Sequence, residues 1–295
     1  MTYITPRRFR SMGLGVDVGD RSDAALGSLL EIASSKANTY CNAPNDHSFL
    51  GGTVTDEQRV WHPGNTHAPG QRRVWPLHRP VKEVTSLAID VTNGQYVQFT
   101  SSNLYIDHHL DSVEITSLQL TPAAVFTTGL APYISLQNPR SRMSYTYGWD
   151  FTAHERVKIS ESTPPGYEFQ LDNQFASASG VSVTKNGTEL TPVTDYEFDE
   201  YEGVLTLIAP VARTDRVYID YAYTLPSNIA LATALIGVDV VAWANQMGAG
   251  LGGLSGIKVN EVELRASKSG GFANVAVNPA SQELLATYMY RGFSS

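Results

Sequence analysis

Residues able to do chemistry are sparse in this chain, and their spacing argues against most of what they could do. The segment Gly248-Ala249-Gly250-Leu251-Gly252-Gly253 reproduces the dinucleotide fingerprint G-x-G-x-x-G letter for letter. That motif works only between a strand and a helix, where the helix N-terminus meets a pyrophosphate. Here the glycines follow a long apolar run of helical character, so they read as a helix stop and linker. Around Ser255 a nucleophile elbow would need glycine at 257, and the residue is Ile257. The histidines His47, His62, His67, His78, His108, His109 and His154 form no H-x-x-x-H or H-E-x-x-H pair on a predicted helix. His108 and His109 are adjacent and would point to opposite faces of a strand, and all seven read as surface residues. Cys41 is the single cysteine, so no intrachain disulfide or cysteine-based zinc site can form, and a reducing compartment fits best.

Carboxylates crowd into Asp195, Glu197, Asp199, Glu200 and Glu202. On a strand the first three share a face and Tyr196 and Phe198 take the other, as on the edge strand of a one-sided sheet. A calcium site would find hard oxygen ligands here, but the spacing of an EF-hand loop is absent. No pair stands out as glycosidase-type acid and base. Arg7, Arg8 and Arg10 form one basic group, and Arg72, Arg73, Arg79 and Lys82 form another around Trp75. A basic-aromatic cluster can stack on nucleic acid, but in an acidic chain salt bridging at a surface or interface fits better. The sequence therefore predicts no catalytic, cofactor-binding or metal-binding residue and no enzyme.

The composition sets the frame for these side chains. Of 295 residues, 42% are hydrophobic and 17% charged, with a formal net charge of −8. About a quarter charged is usual, so something is expected to cover much of this surface. A negative balance argues against binding by phosphate neutralisation, which depends on Lys and Arg. The first ten residues lack the apolar core of a signal peptide, and nothing marks the chain for export.

The elements that must carry these residues follow from periodicity. Leu26, Leu29, Leu30, Ala33, Ala37 and Tyr40 recur at helical spacing, with Asp20 or Ser22 as cap and Pro44 beyond the end. Strands are predicted at Ser86 to Val91, Tyr96 to Phe99, Leu104 to Ile106, Val113 to Ile115 and Met143 to Trp149, with a hairpin turn at Asn93-Gly94. A second stretch repeats the grammar: Val181 to Val183, Asn186-Gly187, Asp195 to Asp199, Gly203 to Leu207 and Val217 to Tyr223. The shared order of turn, strand, acidic turn, strand and aromatic strand suits two related β modules, and it equally suits two ordinary meanders.

The last third turns helical. After Pro226-Ser227-Asn228, the run Ile229 to Met247 carries Asp239 as its one charged side chain. A helix apolar all round is buried on several sides. The stretch before Asp239 is shorter than the roughly 18 residues of a membrane span, so burial against neighbouring subunits is expected. Leu231, Leu235, Val238, Asp239, Ala242 and Trp243 are the candidate subunit-interface residues. The run Ile257 to Val277 is predicted extended. A last helix is signed by Asn278 as N-cap, Pro279 at its first position, Arg291 in its last turn and Gly292 past the end.

The expected fold class is α+β: a small helical bundle, made of an N-terminal helix and two C-terminal helices, with antiparallel β-sheet modules, one an inserted β domain. The expected division is 1–45 for an N-terminal arm and helix, and 46–118 for a β-rich part of the core domain. It continues with 119–225 for the inserted β module, 226–256 for the apolar helix and glycine stop, and 257–295 for an extended loop and C-terminal helix.

Taken in order, these pieces resemble the head-tail connector (adaptor, or head completion) proteins of tailed bacteriophages. The likeness rests on the helix from Ser22 to Tyr40, on Arg73-Val74-Trp75-Pro76-Leu77-His78-Arg79-Pro80-Val81 leading into Val84-Thr85-Ser86-Leu87, and on Leu104-Tyr105-Ile106-Asp107. It continues with Tyr145-Thr146-Tyr147-Gly148, the apolar helix after Pro226, and the ending Glu283 to Arg291. It covers roughly 20–118 and 226–292; the stretch from about 119 to 225 departs from the shorter family pattern.

The resemblance implies a structural virion protein, made in the host cytoplasm and placed at the virion neck. It would form a homo-oligomeric ring, twelvefold in expectation, between the capsid portal and the tail or neck proteins. Packaged double-stranded DNA would pass through its channel without specific binding, and no membrane is involved. The family's C-terminal region engages the portal, which makes Ile257, Val259, Leu264, Phe272, Tyr288, Tyr290 and Arg291 the candidate portal contacts. The alternative reading is a β-rich tail protein or a receptor- or carbohydrate-binding virion protein, favoured by 15 Tyr, 4 Trp and the β modules.

Overall fold

The structure is a computed structural model that describes residues 2–44, 48–60, 62–63, 72–92, 95–99, 101–108, 112–115, 140–159, 166–250 and 277–290. The chain is α+β, as expected. Its described helices are α1 (Pro6–Ser11), α2 (Asp23–Cys41), α3 (Ser227–Gly250) and α4 (Pro279–Leu285), and its sheets are four small antiparallel ones. It divides into two compact units, one formed by Met1–Leu50 with Asp150–Ser295 and the other by Gly51–Trp149.

The helices begin where side chains can satisfy their free N–H groups. Ser22 caps α2 through Ala25 N at 3.3 Å, and Asn42 in the left-handed region ends it. Leu26, Leu30, Ala33, Ala37 and Cys41 form its buried face. Helix α1 was not expected; Thr5 caps it by accepting from Arg8 N at 3.2 Å, and Pro6 opens it. Phe9 from α1, Leu26 and Leu30 from α2, and Ala234 and Val241 from α3 make one core with Ile4. Gly237 is what lets α3 lie so close. A Cβ there would stand 2.9 Å from Leu30 Cδ2 and 3.0 Å from Phe9 Cε2, both on buried side chains.

Helix α4 starts as read, with Asn278 accepting from Ser281 N at 2.8 Å. It does not run to Arg291: it stops at Leu285, tightens through a 3-10 turn over Ala286–Tyr288, and Met289 is extended. The chain turns there because Tyr290 N donates to Cys41 O at 2.7 Å, bringing Tyr288 and Tyr290 onto the ring of Phe49. Cys41 is buried, its Sγ 3.8 Å from Leu285 O, and burial pushes its thiol up to about 12.

The described strands of residues 51–149 form a sandwich of two sheets. Its strands are β1 (Gly52–Val60), β2 (His62–Pro63), β3 (Arg72–Val74), β4 (Val81–Thr92), β5 (Gln95–Phe99), β6 (Leu104–Asp107), β7 (Ser112–Ile115) and β8 (Arg140–Tyr147). One sheet has the order β1-β8-β4-β5 and the other β2-β3-β7-β6. Leu87, Phe99, Met143 and Tyr145 of the first meet Val74, Val113 and Ile115 of the second in one core. The aromatic strand buries one face, with Met143, Tyr145 and Tyr147 inside, and it ends at Tyr147, short of the expected Trp149, which is only half-buried.

The expected boundary between 118 and 119 is corrected by β8, which pairs with both β1 and β4. A strand whose inward residues complete that core belongs to the first sandwich. The division falls after Leu50 and after Trp149. The Asn93-Gly94 tip lies outside the described residues, and the strands either side of it pair with Thr92 opposite Gln95.

The second sandwich belongs to the unit that holds the helices. It consists of β9 (Phe151–Arg156), β10 (Tyr167–Gln170), β11 (Ala176–Lys185), β12 (Thr188–Glu189), β13 (Tyr196–Asp199), β14 (Val204–Leu207) and β15 (Val217–Tyr223). The sheet orders are β12-β11-β15-β9 and β10-β14-β13. Val183, Val217, Ile219 and Tyr221 meet Tyr196, Leu205 and Leu207 in its core. At the β11–β12 turn Asn186 and Gly187 have φ of 53° and 84°, the two positive values of a type I′ hairpin.

The close approach at Gly237 gives a direct test. Gly237→Val forces a branched side chain against Leu30 and Phe9 and is expected to lower stability by about 3 kcal/mol. The check is thermal or urea unfolding followed through the helical signal.

Candidate functional site

Among the described residues no group of three or more His, Cys, Asp or Glu side chains could hold a metal ion. The acidic strand behaves as a surface element. β13 is the last strand of its sheet, with Tyr196 buried and Glu197 and Asp199 exposed. Two carboxylates at its ends fold turns: Asp195, just before it, accepts from Thr191 N at 2.8 Å and Asp199 from Glu202 N at 3.0 Å. Glu202 accepts from Thr5 Oγ1 at 2.5 Å.

Four of the basic side chains, Arg7, Arg8, Arg10 and Arg73, are likewise engaged within their own units. Arg7 pairs with Glu168 at 2.5 Å, and Arg10 pairs with Asp23. Arg8 donates to Leu171 O and Asp172 O, each at 2.9 Å. Arg73 lies 3.5 Å from Asp107 and 3.3 Å from Glu114. Arg7, Arg10 and Arg73 are thus in salt bridges, while Arg8 binds backbone carbonyls.

Two polar networks went unread in the sequence. In the first sandwich Tyr145 donates to the Glu57 carboxylate, which also accepts from Leu77 N at 2.9 Å and Arg59 Nε at 2.6 Å. His78 N donates to the Tyr145 oxygen at 3.1 Å. Burial, then the bond to Glu57, holds the Tyr145 phenol well above its ordinary range, so it stays a donor. His78 is not a surface histidine: it is 7% exposed and stacks on Tyr147 with centroids 4.5 Å apart. In the second sandwich Tyr221 donates to Glu155, whose oxygens also accept from Asp172 N at 3.0 and 3.3 Å. Asn173 Nδ2 donates to the Tyr221 oxygen at 3.0 Å, and burial ahead of the Glu155 bond raises that phenol too. Both networks fix loops, and neither presents a nucleophile beside a base.

The interface residues predicted on α3 do gather. Leu231, Leu235, Val238 and Ala242 follow at spacings of four, three and four, which is one stripe of a helix. Leu231 is 36% exposed and the other three are half-buried. The opposite faces hold Ile229, Ala232, Ala234, Ile236, Val240 and Val241, all buried by the chain itself. Val238 also leans on the core of Ile4, Phe9 and Leu30. By length and hydropathy Ser227–Gln246 could span a membrane; its packing against α2 and α4 gives it another use.

Asp239 and Trp243 lie beside the stripe, half-buried. Asp239 was read as an isolated charge, but its Oδ2 accepts from Asn278 Nδ2 at 2.8 Å while Asn278 Oδ1 caps α4. The charge therefore ties α4 to α3 within one chain, 39 residues apart in sequence. Of the predicted portal contacts, Tyr288 and Tyr290 pack on Phe49, at centroid distances of 6.3 and 6.0 Å, and Tyr290 is buried. Ile257, Val259, Leu264, Phe272 and Arg291 lie outside the described residues.

Two outcomes follow. Asp239→Leu removes the acceptor that orients the α4 cap and is expected to cost about 1 to 2 kcal/mol, read as faster amide exchange in 278–285. His78 contributes a pH dependence. Burial lowers its folded pKa, so its contribution to stability is present above the unfolded value of about 6.5 and is lost as pH falls below it. Melting of the first sandwich is expected to drop on acidification below that point, and His78→Phe, which keeps a ring on Tyr147, should flatten the drop.

No protein-family model, curated protein or solved structure matches this chain.

Proposed function

We propose that this protein is a structural virion component that assembles as a ring between the capsid portal and the tail, prolonging the DNA channel. The observation that carries the reading is the Leu231, Leu235, Val238, Ala242 stripe on α3. It is apolar along its length and its side chains are only partly covered by the chain. A ring needs two different surfaces that meet around a closed axis, and a stripe on a rigid, well-anchored helix supplies one of them. The resemblance of the helices and of the Arg73 to Val81 segment to head-tail connectors supports the same reading. Partners are then further copies of this chain, the portal, and tail or neck proteins, with DNA passing unbound.

The portal-binding role passes to 257–276, because Tyr288 and Tyr290 are occupied within the chain and α4 closes the helical layer. Truncation at Gly256 would remove α4, so it confuses binding with folding. The cleaner variant replaces 257–276 by a glycine-serine segment of equal length. It is expected to stay folded and to lose portal in a pull-down, whereas undiminished capture would overturn this part of the reading. For the ring, Leu231→Glu places a charge where the side chain is already partly wet. Native mass measurement with and without portal should show at least a tenfold weaker self-association; unchanged assembly would remove the stripe from the interface.

A second reading, a β-rich tail or receptor- or carbohydrate-binding virion protein, is favoured by the two sandwiches, whose described strands run between residues 52 and 223. It predicts affinity in a glycan screen, where a connector should show none.

A further inference from the structure

Every strand of the first sandwich but the two-residue β2 has a counterpart among the described strands of the second. Pairing β1 with β9, β3 with β10, β4 with β11, β5 with β12, β6 with β13, β7 with β14 and β8 with β15 turns β1-β8-β4-β5 into β9-β15-β11-β12. The same pairing turns β3-β7-β6 into β10-β14-β13. These are the observed orders of the second sandwich.

Register agrees as well. Leu104 faces Ile115 and Asp107 faces Ser112; Tyr196 faces Leu207 and Asp199 faces Val204, with the same five-residue step between the paired ends. An Asn-Gly pair joins β4 to β5 and β11 to β12. The residue after each aromatic strand donates to the residue just before the matched strand: Gly148 N to Pro80 O at 2.9 Å, and Thr224 N to Phe175 O at 3.3 Å.

Strand order alone can arise twice, because short antiparallel connections have few ways to run. The polar strut does not follow from strand order. Tyr145 faces Val54, and Glu57 faces Met143, two residues before Tyr145. Tyr221 faces Ala153, and Glu155 faces Ile219, two residues before Tyr221. The first pair is spaced by one extra residue in β1, where the register shifts and Asp56 has φ 52°. That is a bulge inserted into an otherwise shared pairing. Each carboxylate also accepts from a backbone N–H four residues before the following matched strand, from Leu77 before Val81 and from Asp172 before Ala176.

We infer that residues 52–148 and 151–224 are two copies of one β module, each locked by the same tyrosine-glutamate strut, and that the first copy is a domain inserted into the unit that the second copy completes. The joints support the insertion. Gly51 and Gly148 lie so close that a Cβ on Gly148 would stand 2.6 Å from Gly51 Cα, so the chain starts and finishes the first copy at one place, as inserted domains do.

The copies have since diverged in use. In the second, the loop beside the strut receives the N-terminal segment: Arg8 on Leu171 O and Asp172 O, Thr5 with Gln174. In the first, the matched loop carries Pro76 and Leu77, and Leu77 is 40% exposed.

The test uses the full chain and hydrogen exchange read by peptide. Tyr145→Phe should speed exchange at 75–80 and Tyr221→Phe at 171–175, each by about tenfold or more and each only in its own sandwich. Glu57→Gln and Glu155→Gln should each reproduce the effect of its tyrosine variant, with little added in the double variants. A strut variant that leaves its loop unchanged, or that loosens both sandwiches together, overturns the equivalence. A four-residue glycine-serine spacer at each joint, after Leu50 and after Trp149, should leave cooperative melting of the helices and of both sandwiches intact. Loss of the helical transition would overturn the insertion.

Discussion

A carboxylate taken out of water needs donors for its oxygens, and that requirement organises both β sandwiches. Glu57, with a side chain only 10% exposed, and Glu155 each accept from a buried phenol and from a loop N–H. A bond to a charged acceptor is stronger than a neutral one, and an orphaned partner is costly. The loop therefore cannot leave the sheet without stranding the charge. In the second sandwich the consequences run outward. The strut fixes 171–174, that loop fixes Thr5 and Arg8, and those residues start α1, whose Phe9 packs where Gly237 brings α3 against α2.

Much of this was legible in sequence because the signals are local. Ser22, Asn278 and Asn186-Gly187 announce caps and a hairpin by chemistry contained within four residues. The alternation of Met143, Tyr145 and Tyr147 announces a buried face. Helix α1 was missed although Thr5-Pro6 is a proper start, because two turns of helix carry too little periodicity to count. Strands β1 and β9 were missed for a different reason. Both are edge strands rich in polar residues, and the bulge at Asp56 resets the alternation in β1.

The candidate site divides along the same line. The stripe on α3 was readable as a run with a single charge, Asp239. Its meaning was only partly readable, because the partners that cover its other faces come from α1, α2 and α4. Asp239 looked isolated because Asn278 is 39 residues away, and the tyrosines of the C-terminal segment looked available because Phe49 is still farther off in sequence. The shortage of charge is thus met in part by the chain covering its own apolar helix, which leaves a narrower strip for neighbours than composition suggests.

Cys41 sits under the returning C-terminal segment, with Leu285 O at its sulfur and Tyr290 N on its carbonyl. Burial leaves the sulfur with no exposed surface and pushes the thiol up, away from the thiolate that is the reactive form. The sole thiol of this chain is therefore silent while α4 is seated and becomes available to an alkylating probe when that segment lifts. The molecule carries its own gauge of closure, one that can report whether assembly clamps the C-terminal segment down or draws it away.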